Sequence, residues 1–299
     1  MVRRAFRVAY DGRPYRGFQR QPDVTTVEGE LFGALRRLGV FDGEKPRGYA
    51  AAGRTDAGVS ARAQTIAFDA PEWLTPSALN GELSGPVRTW ATADAPPEFH
   101  ATHDANRREY RYFWLAPEPR EGAERASGVS GSGATGGSEA RCASDGAASH
   151  ATGTDDRRAA EALDRLLGSH DYRNLTPDDA NTVRELAGGI ERDGAFLVVT
   201  LRASGFCREL VRRVVALVQA VAAGEDFDRI DQLLAADGIE GPEGVTPAPP
   251  GPLVLHDVDY DLDFAVDANA LAATREMFAD LRAARRARAR AAGHVADAL

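Results

Sequence analysis

The run Ala51–Gln64, AAGRTDAGVSARAQ, holds a single carboxylate, Asp56, with Arg54 two residues before it and Gly53 and Gly58 on either side. An aspartate among such small neighbours, on a turn between strands, presents its carboxylate without steric cover. Arg54 could hold that carboxylate charged and oriented, or reach a substrate phosphate instead. The plain alternative is an ordinary turn, because Asp and Gly punctuate loops everywhere. A hydrolase built on this acid would need a second acid or a histidine beside it, and no such partner is evident. Arginines accumulate around the same segments: Arg13, Arg16, Arg20, Arg54, Arg62, Arg107, Arg108 and Arg111. Each alone reads as a solvated charge. As a group they point to RNA, since a guanidinium grips phosphate in two places.

The elements that must position these residues are legible from patterning. Phe6, Val8 and Tyr10 alternate as a strand, closed by Asp11-Gly12. A helix opens near Thr26, with Val27, Leu31, Ala34, Leu35 and Leu38 on one face and Gly39 as its stop. A strand over Gln64–Asp69 follows the Asp56 turn, then a short helix over Pro76–Asn80 and a strand over Val87–Ala91. In the second half Tyr110, Tyr112 and Trp114 alternate as a strand. A helix ends at Gly168, GAFLVVTLRAS is a strand, and GFCRELVRRVVALVQAVAAG is an amphipathic helix with Phe206 and Leu210 inward. DFDRIDQLLAADG reads as another helix, PLVLHDVDYDL as a strand, and the Ala- and Arg-rich tail as helical. Gly, Ala, Ser and Glu dominate 117–155, which cannot bury enough apolar area to order itself and reads as a disordered insertion.

With 299 residues the chain is long for one small core. The pattern suits an α+β fold of two halves, 1–105 and 106–265, whose antiparallel sheets join, followed by a helical tail over 266–299. Cys142 and Cys207 lie far apart with no metal-type spacing, so neither a disulfide framework nor a metal site is expected. No apolar run is long enough to cross a bilayer and no signal peptide is visible, which places the chain in the cytoplasm. The formal net charge is −9, and Lys45 is the sole lysine. Dense carboxylates with arginine in place of lysine suit a salt-loving organism, where they keep the surface hydrated.

The run GRTDAGVSARAQ resembles the signature of the TruA family of tRNA pseudouridine synthases, GRTDAGVHA followed by Q, with Ser60 in place of the family's histidine. Variants with serine there look like archaeal members. Four further segments fall in the family's order. YDGRPYRGFQRQP is similar to YDGxxYxGWQxQ, with Phe18 for tryptophan. FHATHDANRREYRYFW is similar to FHARxxAxxRxYxY, with Thr102 where the family has arginine. GFCRELVRRVV and APPGPLVLHDVDY are similar to its later helix and strand motifs, placing the helix arginine at Arg212 and the strand leucine at Leu253.

The resemblance implies two ferredoxin-like halves with helices on one side and an active-site cleft between them. It also implies isomerisation of uridine to pseudouridine at positions 38 to 40 of the tRNA anticodon arm, by a homodimer without cofactor or metal. Asp56 would be the catalytic carboxylate, attacking the anomeric carbon, attacking the base, or removing the 2′ proton to give a glycal. Arg54 or Arg212 would assist it. The target base must leave its stack. Tyr110 would stack on it, Leu253 would wall the pocket, and Gln19 and Gln21 would contact neighbouring nucleotides or steady the loop. The rival expectation is a non-catalytic RNA-binding protein of the same fold.

Overall fold

The computed structural model describes residues 1–116, 155–235 and 244–299. The expected insertion over 117–155 therefore lies outside the described residues, except for Asp155.

The first part of the chain forms β1 (Val2–Tyr10), α1 (Val27–Arg37), β2 (Ala50–Ala51), β3 (Ser60–Ala70), α2 (Pro76–Glu82) and β4 (Val87–Asp94). The second part forms β5 (Arg107–Leu115), α3 (Asp156–Leu166), β6 (Gly168–Asp171), β7 (Val183–Asp193), β8 (Phe196–Ala203), α4 (Leu210–Ala222), α5 (Asp228–Leu234) and β9 (Leu253–Asp259). The chain ends in β10 (Ala265–Val266) and α6 (Ala268–Ala298). Among the described residues the strands make one mixed sheet in the order β10-β4-β1-β3-β9-β5-β8-β7-β6, with β2 also paired to β3. Every pairing is antiparallel except the join of β3 to β9, which is parallel and short: Ser60 faces Val254 and Ala61 faces Leu255. The fold is α+β, with a large mixed sheet and six α-helices among the described residues.

Local chemistry explains the elements. Thr26 caps α1 by accepting the Gly29 N–H at 3.2 Å, and Thr75 caps α2, whose first turn holds Pro76. Phe6, Val8 and Tyr10 of β1 are fully buried with Leu31 and Leu35 of α1 in a first core. A second core gathers Leu163 and Leu166 of α3, Leu197, Val199 and Leu201 of β8, and Val214 and Val218 of α4. Strand β9 serves both, giving Leu253 to the second core and Leu255 and Val258 to the first. Arg7, on the other face of β1, donates to Val258 O at 2.6 Å and Thr65 Oγ1 at 3.1 Å, tying the first strand to the last long one.

Several elements differ from the sequence expectation. Helix α4 begins at Leu210, because Glu209 has φ 59° and breaks the helical path. Phe206 precedes the helix instead of sitting on its inner face. Strand β7 is unexpected: Leu186 is its one buried residue and its centre is Ala187-Gly188-Gly189, so no hydrophobic alternation marks it. The glycine is required by contact, since a Cβ at Gly188 would lie 2.1 Å from Thr200 O of β8. The segment after Leu255 also returns to the first part of the chain: β10 pairs with β4, and α6 packs against β4 and α2. Among the described residues no helix is long and apolar enough to cross a membrane.

Gly188→Ala should lower unfolding stability by on the order of 2 kcal/mol by forcing β7 off β8. Denaturant unfolding in molar KCl measures it. A variant as stable as the parent would contradict the close-packed β7–β8 pairing.

Candidate active site

The Asp56 loop fills the space between β2 and β3, directly before the parallel join. It is fixed by hydrogen bonds to its own backbone. Gln64 Nε2 donates to Gly53 O at 2.9 Å, and Ala52 N donates to Thr65 O at 2.8 Å. Tyr10 Oη and Thr55 Oγ1 share a buried hydrogen bond of 2.8 Å, and Phe18 N donates to Thr55 O at 3.0 Å. That last contact brings the Gly17-Phe18 backbone against the loop. Gly17 has φ 103°, and a Cβ there would stand 3.2 Å from Thr55 O. Ser60 accepts the Gly12 N–H at 3.1 Å, so the residue that departs from the family signature holds two motif loops together.

Arg108 lies behind the loop. It is buried and donates to Ala52 O at 3.1 and 2.6 Å, to Thr102 O at 2.7 Å, and to Ser204 O. This corrects its assignment to the RNA-facing arginines: its donors are consumed by backbone carbonyls. Thr102, where the family has arginine, donates to Ala51 O at 2.6 Å and steadies the same loop.

The partner of Asp56 comes from α4. Arg212 Nη1 lies 3.2 Å from Asp56 Oδ2, while its Nε donates to Ala248 O at 2.7 Å. The Arg212 side chain is 13% exposed and that of Asp56 35%. One fork of the guanidinium is thus anchored and the other aims the carboxylate. Arg54 does not fill this role. It is exposed, and no hydrogen bond or ion pair engages its side chain, so of its two expected roles the phosphate contact fits its position.

Asp56, Arg54, Arg212, Tyr110, Leu253, Gln19 and Gln21 all line one open cleft of about 1290 Å³. Tyr110 of β5 packs edge-on against Phe206, ring centroids 5.2 Å apart. Burial pushes the Tyr110 phenol up to about 12, the Arg108 charge opposing and the Asp56 charge adding to the rise. It stays protonated at neutral pH. Leu253 is buried at the start of β9. Gln19 and Gln21 stand exposed on the rim. Sequence reading missed Phe206, Arg208 and Pro250 as wall residues; the GFCREL and APPGPL stretches that hold them carried the signal. Cys207 also lines the cleft, but burial pushes its thiol up, which makes it a poor nucleophile.

The fold and site define an α+β protein with an arginine-paired aspartate, Asp56, in an open, arginine-lined cleft, seated where two sheet segments meet. A family model described as tRNA pseudouridine synthase matches residues 162–261. The tRNA pseudouridine synthase A of Halobacterium salinarum is 60% identical over 298 residues, 99% of this chain and 100% of that protein. That of Haloarcula marismortui is 51% identical over 300 residues, again 99% and 100%. That of Methanothrix thermoacetophila is 34% identical over 269 residues, 88% of this chain and 85% of that protein. The chain belongs to the tRNA pseudouridine synthase A family. Its acidic, lysine-poor composition is in keeping with relatives from salt-loving archaea.

The buried phenols give a pH expectation. Tyr110 and Tyr15 are both raised from 10.0 to about 12 by burial. The folded state keeps these protons where the unfolded chain loses them. Their contribution to stability is therefore full below pH 10 and is lost as pH rises towards 12. Tyrosinate absorbance should show a late step near pH 12, smaller in Tyr110→Phe; a Tyr110 ionising near 10 would contradict its burial.

Proposed function

We propose that the protein isomerises uridine to pseudouridine in tRNA, at positions 38 to 40 of the anticodon arm, with Asp56 as the catalytic carboxylate. The observation that carries this reading is the Asp56–Arg212 pair in a cleft lined by all seven motif residues, in a chain of this family.

The reaction cuts the base from its sugar, turns it and rejoins it through carbon 5, so no atom is gained or lost. Asp56 acts on the ribose or the base as its charged form. Arg212 holds the carboxylate on the reaction side. The uridine flips from its stack into the cleft, where the Tyr110 ring stacks on the uracil and its protonated hydroxyl can donate. Leu253 walls the apolar side. Arg54 and Arg16, exposed on the rim with no protein partner, take phosphates next to the flipped nucleotide. Gln19 and Gln21 contact its neighbours. No step requires a cofactor or a metal.

The architecture is read as two ferredoxin-like halves, 1–105 and 106–265, with the tail beyond 266 returning to the first. The enzyme works as a cytoplasmic homodimer.

The test is tritium release from tRNA carrying 5-tritiated uridine, in molar KCl. Wild type should release tritium and Asp56→Asn should release none while still binding tRNA. Tritium release by Asp56→Asn would remove the carboxylate from its role. Binding without release by wild type would favour a non-catalytic RNA-binding protein.

A further inference from the structure

Helix α6 is anchored to the body over its first half and free over its second. Asp267 caps it, accepting the Ala270 N–H at 3.0 Å, and Ala270 and Thr274 are its buried residues. Farther along, Arg285 Nη2 donates to Asp11 Oδ2. Asp11 is 4% exposed and also faces Ser60 Oγ at 3.4 Å. Ser60 lies on the strand that leaves the Asp56 loop. The helix is thus pinned, through one buried carboxylate, to the base of the candidate active site. From Arg286 onward every residue is exposed, and the helix to Ala298 extends roughly 20 Å at 1.5 Å per residue.

The charge of this free half runs against the rest of the chain. In a protein of net charge −9, residues 281–296 hold five arginines and no carboxylate. Arg282, Arg286, Arg288 and Arg290 are exposed, and none makes a hydrogen bond or ion pair. Elsewhere most described arginines are bound to carboxylates or carbonyls, as Arg3, Arg4, Arg37 and Arg192 are. Helical spacing puts Arg282, Arg286 and Arg290 on one stripe, in line with exposed Arg275. Beyond Leu281 the large apolar residues are Val295 and Leu299 alone, which makes no seam for a partner helix or a second copy. Unpaired guanidiniums without apolar anchors suit a polyanion, and bidentate contacts hold where salt screens longer-range attraction.

We infer that the free half of α6 is a phosphate-gripping arm that binds the backbone of the tRNA substrate outside the cleft. This rests on the tRNA reading above. Its pin at Asp11 sets the arm at a fixed place relative to the Asp56 loop, so backbone held on the arm is presented to the cleft.

The test combines Arg282→Gln, Arg286→Gln, Arg288→Gln and Arg290→Gln in the full chain, with a second variant carrying lysine at all four positions. Filter binding to full-length tRNA and tritium release are measured across KCl concentrations. The glutamine variant should bind about tenfold more weakly, with kcat unchanged. Its log–log salt slope should be shallower by about 0.7 to 0.9 for each lost phosphate contact. The lysine variant should recover most of the affinity at low salt. Unchanged tRNA affinity and slope in the glutamine variant would overturn the inference, as would a changed oligomeric state with unchanged tRNA binding. Because binding is read apart from catalysis, a wild type that binds tRNA through the arm but releases no tritium would overturn only the catalytic reading.

Discussion

The site depends on two residue pairs of parallel strand. Where Ser60 and Ala61 of β3 meet Val254 and Leu255 of β9, two separately cored segments become one sheet. The join is short in hydrogen bonds but firm in packing, because β9 gives Leu253 at its start to one core and Leu255 and Val258 further along to the other. The Asp56 loop runs into β3 from one side and Leu253 opens β9 on the other. Arg212, 156 residues from Asp56 in sequence, reaches across from α4. A slip of the join by one residue would turn Leu253 out of its core and move the loop away from its arginine.

The chemistry then follows from how little the loop can move. A carboxylate among small residues has no packing of its own to hold it. Its backbone is held by Gln64, Thr102, Arg108 and the Tyr10–Thr55 pair, and its side chain by Arg212. Polar groups fixed before the substrate arrives need no reorganisation when charge develops. The acid stays partly open because a nucleotide has to reach it. Gln64, Arg108, Tyr10 and Thr55 are buried, so these anchors do not compete for that nucleotide.

Much of this was readable in the sequence where the signal is local. The Thr26 cap and the apolar face of α1, the alternation of β1 and β5, and the GRTDAG run each lie within a few residues of chain. What was not readable needed distance or conformation. Arg54 stands two residues from Asp56 and looked like its partner, yet the loop turns it outward and α4 supplies Arg212. Arg108 is indistinguishable by type from the solvated arginines around it, and only burial shows that its donors are spent. Phe206 looked helical until Glu209 adopts a positive φ and starts α4 late. Strand β7 pairs through a glycine chosen for closeness, which leaves no hydrophobic alternation to read.

The central claim is that Arg212 aims Asp56 across the join. The most direct measurement is the single-turnover rate of tritium release by Arg212→Met with saturating tRNA, beside its tRNA affinity. The account expects the rate to fall about 100-fold, as when a fixed electrostatic partner is removed, with affinity changed only a few-fold. A rate within about twofold of wild type would contradict it.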